Sequence, residues 1–416
     1  MKRLAILLLA APLAGCSSLV DNEELGRRPI PSGGEQFSTY SAIGTSIGAG
    51  IQSAGINDST QREAYTTQLA EAMGLTPGVD WFYPSFAGFG CPAPFTNPLT
   101  QARLGGGTPP CSRRDPASVR DFMHNVSIPS IRAAQVLDIT ALPFPATDSL
   151  KLAQFITGSL APIDMVERAR PTFVTVEIGA NDVLGAATRG DATLLTPLAD
   201  FQAAVTGIFD RLTEMTPEPN VAVAGIPPVT RIPYLTLGQT IFCLKTGACG
   251  VAANPLFTNM TVDASCAPPP TPGGVGNQYA ITFPALATVV GTLQAGGAAT
   301  LNCATDVLTT TPASATPLAT VNVTEWGAIN ARVNEMNAFL TTEAQSRGYA
   351  FVDVDAIFTA NAAQIPSFPN FTNPSQLFGA LFSLDGVHPT KAGHRLLAQG
   401  FAAAINATYG STLSIP

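Results

Sequence analysis

Read only as apolar and polar positions, the chain alternates short β-branched runs with longer segments whose apolar residues recur at helical spacing. Runs at residues 37–43, 125–128, 172–178, 220–226 and 349–354 predict five strands. The third, Thr172-Phe173-Val174-Thr175-Val176-Glu177-Ile178, is β-branched at most positions. Residues 61–73, with Tyr65, Leu69, Ala72 and Met73 at near-helical spacing, predict the first helix. Further helices are predicted over 131–139, 149–168, 198–215, 326–347 and 389–405, with Gly348 closing the fifth of the six. Strand alternating with helix argues for a parallel sheet covered on both faces, an α/β fold. Ligands in such sheets bind outside the carboxyl ends of the strands, near a reversal of strand order.

Two intervals interrupt the alternation. Residues 84–116 are rich in Pro and Gly, and a loop of that length inside a domain is more often functional or cross-linked than neutral. Residues 233–321 are far longer than an ordinary connection and carry Pro268-Pro269-Pro270, Gly273-Gly274 and four cysteines. Ile241-Phe242 and residues 283–290 form exposed-looking apolar clusters within this insertion. The insertion has two readings: a disulfide-pinned surface excursion with no contact to substrate, or, because strand four ends at the ligand-binding edge, a wall or lid there, where an apolar surface favours acyl chains over sugars.

Composition narrows the class. Across 416 residues only 12% are charged, against roughly a quarter in ordinary soluble domains, which suits a secreted, loop-rich protein. The net charge of -8 and the lack of any Lys/Arg cluster argue against nucleic acid as a partner. Met1-Lys2-Arg3, the apolar run at 4–11 and Leu13-Ala14-Gly15-Cys16 predict a secretory signal over residues 1–15, too short to span a membrane stably. Its ending resembles the bacterial lipobox, which implies lipid attachment at Cys16. With Ser17 next, the resemblance implies an outer-membrane lipoprotein. Residues 16–36 read as a tether, and 37–416 as the domain it carries.

Six further cysteines, an even number, suggest disulfides in an exported chain. The simplest pairing is sequential: Cys91 with Cys111, Cys243 with Cys249, and Cys266 with Cys303. Zinc is poorly supported, since there is no Cys-x-x-Cys and the histidines are only His124, His388 and His394. No metal or cofactor is expected, and a monomer is.

Candidate chemistry sits at the ends of the predicted strands. Tyr40-Ser41-Ala42-Ile43-Gly44-Thr45-Ser46-Ile47-Gly48 runs an apolar strand into a serine flanked by glycines, so Ser46 is a candidate nucleophile. A serine hydroxyl needs a base, an orienting group and donors for the oxyanion. Asp385-Gly386-Val387-His388 offers carboxylate and imidazole three residues apart, and Gly179-Ala180-Asn181-Asp182 follows the third strand. Thus His388 is the expected base and Asp385 its orienting acid.

These blocks, in this order, resemble the SGNH or GDSL-type serine hydrolases. Two positions depart from that pattern. Thr45 stands where the family carries an acidic residue, and Ser130, in Asn125-Val126-Ser127-Ile128-Pro129-Ser130, stands where it carries a glycine. Gly88 and Gly90 are weaker candidates for the glycine's role. The resemblance implies a three-layer flavodoxin-like fold with strand order 2-1-3-4-5, and an oxyanion hole made by the Ser46 and Ser130 amides and the Asn181 side chain. It implies hydrolysis of carboxylic esters, lipase- or esterase-like, of a small-molecule or lipid substrate. A carbohydrate O-acetyl esterase and a decayed, lipid-anchored binding protein are the alternatives. Gly44-Thr45-Ser46-Ile47-Gly48 also fits the α/β-hydrolase nucleophile elbow, but here the serine ends the first strand and acid and base share one turn. Asp182 is expected to be a structural acceptor, His394 a solvated residue, and His124 to have no role.

Overall fold

The computed structural model describes residues 33–106, 114–118, 120–139, 153 and 155–416. Cys16, the signal and most of the tether lie outside the described residues, as does Cys111. Four parallel strands form the central sheet, lying side by side in the order Tyr40–Ile43, Phe173–Val176, Asn220–Ala224 and Ala350–Val352.

Alternation along these strands builds two cores. Ile43, Val174, Val176, Val221 and Val223 face helices Pro162–Ala169, Leu198–Thr213 and Val323–Ser346. Tyr40, Ala42, Phe173, Ala222, Ala224 and Ala350 face helices Tyr65–Ala72 and Lys391–Tyr409. On that second face the small alanines leave room for large rings, including the Tyr65 and Phe401 pair stacked 4.9 Å apart. The result is a helix–sheet–helix sandwich with both sheet faces buried.

The strand expected over 125–128 is reduced to a single parallel bridge between Asn125 and Ala42. Hydrogen bonds from Val126 N–H to the Ala42 carbonyl and from Ile128 N–H to the Gly44 carbonyl still lay this segment beside the first strand. The Ser127 amide points to the opposite edge, where no described strand lies, and donates to the Asn125 side chain at 3.0 Å, and Pro129 follows. The helix expected over 61–73 is two, Asp58–Glu63 and Tyr65–Ala72, separated where Ala64 turns extended.

Residues 233–321 carry regular structure rather than a long loop. Leu235–Leu237, Ala280–Thr282 and Thr320–Val321 form one small sheet, and Met260–Val262, Ala298–Asn302 and Val307–Thr311 another. The apolar clusters expected to be exposed are instead this region's own core, with Ile241, Leu286 and Val289 fully buried against Phe257 and Leu301. Cys266–Cys303 and Cys243–Cys249 are bonded as expected, with Cα separations of 5.1 and 5.6 Å.

Candidate active site

Ser46 begins a one-turn helix, Ser46–Ala49, directly after the first strand. Thr45 caps it in an extended conformation, its hydroxyl facing the Ile47 amide. The last described turn before the final helix brings His388 to the same place. Ser46 Oγ lies 2.8 Å from His388 Nε2, and His388 Nδ1 lies 2.8 Å from Asp385 Oδ2. The His388 and Asp385 side chains are 16% and 10% exposed, so the imidazole can meet a substrate while the carboxylate is largely sealed from water.

Asp385 is held from several sides. Its Oδ1 accepts from the amides of Val387 and His388 at 2.9 and 2.8 Å and from the Ser383 hydroxyl at 3.2 Å. Its Oδ2 accepts the Ala54 amide at 2.6 Å besides the imidazole. Burial alone would raise this carboxyl; the His388 ring and the amide donors outweigh it and hold the group at about 2. A carboxylate this firmly ionised fixes the imidazole with Nδ1 as donor and leaves Nε2 to accept from the serine.

Asn181 and Ser130 sit on the adjoining elements. Gly179 precedes helix Ala180–Arg189 in a left-handed conformation (φ 96), and a Cβ there would come within 2.7 Å of Ile226. Asn181 Nδ2 donates to the Ile131 carbonyl at 2.9 Å, which uses one of its two hydrogens. Ser130 is left-handed, φ 67, the backbone state a glycine would adopt more easily. Asp182 is buried and accepts the Ala133 amide at 3.1 Å; burial pushes its carboxyl up to about 6. It acts as the structural acceptor expected of it.

A cavity of about 120 Å³ opens beside the serine, lined by Ser46, Asn181 and His388 and otherwise mainly by apolar side chains such as Leu184, Val229, Ile357, Phe358, Leu381 and Phe382. Ser130 is not among its lining residues and joins the site through its neighbour Ile131. Of the two readings of residues 233–321, the wall or lid is not met, since the segment supplies no residue to the cavity lining. The apolar wall comes from helix Val354–Ala360 and from the Leu381–Pro389 stretch, while the insertion packs behind them, Phe283 against Phe371 and Phe378.

Other expected residues fall elsewhere. Gly88 lines a separate cleft with Asp58 and Tyr83, and Gly90 packs against the Ile56 carbonyl. His124 is buried, its Nδ1 accepting the Phe82 amide at 2.8 Å. His394 is not solvated: it is fully buried, and its Nδ1 faces the Tyr65 amide at 3.3 Å, a helix-start donor without an intrahelical acceptor. Burial pushes its imidazole down to about 3, so it stays neutral.

Two contributors escaped the sequence reading. One is the backbone at Ser53 and Ala54, both left-handed, whose amides grip Ser383 Oγ and Asp385 Oδ2. The other is Glu177, whose only sequence signal is a carboxylate in an otherwise apolar run.

No family model matches the chain, and no curated protein sequence does. Among solved structures, a GDSL-like lipase from Parabacteroides merdae is 11% identical, with 88% of this chain and 96% of that one covered and a TM-score of 0.36. An extracellular lipase from Streptomyces rimosus is 15% identical, with coverages of 89% and 99% and a TM-score of 0.36. The chain is also similar to an alpha/beta hydrolase enzyme from the Lake Arreo metagenome, at 13% identity, coverages of 90% and 99%, and a TM-score of 0.37.

Proposed function

We propose that this protein is a serine hydrolase of the SGNH or GDSL type that cleaves carboxylic esters, with Ser46 as nucleophile, His388 as base and Asp385 as its orienting acid. The observation that carries this reading is the unbroken hydrogen-bonded path from Ser46 Oγ through His388 to Asp385, 2.8 Å at each step, at the side of an apolar cavity. Ser46 attacks the acyl carbon as its proton passes to Nε2. The imidazolium, stabilised by Asp385, returns a proton to the leaving alkoxide, and a water activated by the same nitrogen then releases the acid. The charge that develops on the carbonyl oxygen is met by the Ser46 and Ser130 amides and by the second Asn181 hydrogen, a kind of donor worth on the order of 3 kcal/mol each.

The apolar lining supports an ester with an acyl chain as substrate, since a sugar would leave its hydroxyls without partners there. Placement at the outer membrane through lipid on Cys16 belongs to the same proposal and is supported by the N-terminal sequence. Hydrolysis of a series of p-nitrophenyl esters by the wild type, with none by Ser46→Ala of unchanged melting temperature, tests the assignment.

A further inference from the structure

Glycine 44 and glycine 48 flank the serine for a reason that lies beneath it. A Cβ at either would come within 2.6 or 2.4 Å of Ser127 Oγ, and within 3.2 or 3.5 Å of Glu177 Oε2. The two glycines thus leave room for the Ser127 hydroxyl, and at Gly44 also for a buried carboxylate, close under the nucleophile turn. Glu177 follows the Phe173–Val176 strand, its own amide bonded to the Ile43 carbonyl at 2.9 Å, and is 4% exposed. Its Oε2 accepts the amides of Thr45 at 3.0 Å and Gly48 at 3.2 Å. The Thr45 hydroxyl donates to the same carboxylate, 2.9 Å from Oε1 and 3.1 Å from Oε2.

We propose that Glu177 is a positioning residue for the nucleophile: by gathering the Thr45 and Gly48 amides and the Thr45 hydroxyl, it fixes the turn that aims Ser46 at His388. The inference rests on the reading of Ser46 as nucleophile. It assigns a purpose to a costly arrangement, because a carboxylate enclosed in the core, with no Lys or Arg ion-pair partner among the described residues, is seldom retained for packing. Burial pushes the carboxyl up to about 7 against the pull of its Thr45 and Gly48 donors and of His388. It also accounts for Thr45. The turn has no acidic side chain of its own, and the neighbouring strand supplies one, with the threonine hydroxyl as the adaptor.

The experiment compares Glu177→Leu, which removes the acceptor, with Glu177→Gln, which keeps one oxygen for the two amides, and with Thr45→Val. For each, kcat, KM on p-nitrophenyl butyrate and the phosphonylation rate with a fluorophosphonate are measured beside the melting temperature. A small displacement of a reacting group can cost on the order of a hundredfold, so Glu177→Leu is expected to lose about that much in kcat and phosphonylation with little change in KM. Glu177→Gln is expected to recover most of the loss, and Thr45→Val to fall between the two. Should Glu177→Leu fail to fold, Thr45→Val carries the test. Wild-type kcat in Thr45→Val or in a folded Glu177→Leu overturns the inference. Activity remaining in Ser46→Ala overturns instead the nucleophile reading beneath it.

Discussion

The Ala54 amide donates to Asp385 Oδ2 at 2.6 Å, so a loop more than three hundred residues away in sequence holds the carboxylate that faces His388. That loop is itself pinned. Arg103 Nη1 donates to the carbonyls of Ala54 and Ala93 at 3.1 and 2.6 Å, and its guanidinium lies 3.7 Å from the centre of the Phe95 ring. Arg103→Ala is expected to release Ala54 and Asp385 together, lowering stability by about 1–3 kcal/mol and kcat more than it raises KM. Chemical denaturation with steady-state kinetics checks it; an unchanged kcat would show that Asp385 holds its place without the loop.

The cavity predicts a chain-length preference. Each buried methylene is worth about 0.8 kcal/mol, so kcat/KM is expected to climb with acyl length until the cavity is full and then stop. Leu184 lines it, and Leu184→Trp is expected to move the optimum to shorter esters while acetate hydrolysis stays close to wild type. A p-nitrophenyl ester series measures this. An optimum that does not move would place the acyl chain elsewhere.

The folded region at 233–321 packs behind the cavity's wall and supplies none of its lining residues. Breaking Cys266–Cys303, which spans a separation of 37 residues, is therefore expected to lower the melting temperature, since a loop of this size is worth on the order of 4 kcal/mol by chain entropy. The double variant Cys266→Ala/Cys303→Ala should keep its ester-length profile. A changed profile would restore the lid reading of this region.

Most of the frame was legible in the sequence because it rests on local pattern. The apolar runs at Tyr40–Ile43, Phe173–Val176, Asn220–Ala224 and Ala350–Val352 are the sheet, and the serine, Asn181, and the Asp385/His388 turn stand where short motifs put them. What pattern could not carry was anything decided across long separations. The segment at 125–128 keeps only one bridge to the first strand, and the apolar clusters of the insertion find one another instead of the cavity. His394 looks solvated by its helical position, yet it is buried against Tyr65. Glu177 and Ala54 reach the site through backbone amides, which leave no motif.

Stability should depend on pH with opposite signs at the two carboxylates. Asp385, held at about 2, contributes stability that is present above its unfolded value of 3.8 and lost as pH falls towards 2. Glu177 is raised from 4.5 to about 7, so its contribution is fully present below 4.5 and lost as pH rises through 7. Its ionisable neighbours are His388 and Tyr65. Glu177→Gln removes the buried charge, and its melting temperature relative to wild type is expected to be higher at pH 8 than at pH 5. A difference that stays constant with pH would show that Glu177 does not titrate in this range.

The most direct test of the whole account is to find the residue that reacts. The wild-type protein is treated with a fluorophosphonate, digested and mapped by mass spectrometry, beside Ser46→Ala and His388→Ala. The account predicts one phosphonylated residue, Ser46, with no label on Ser46→Ala and labelling of His388→Ala slowed on the order of a thousandfold or more, as expected when a triad loses its base. Label on another serine, or ester hydrolysis by Ser46→Ala at the wild-type rate, would contradict it.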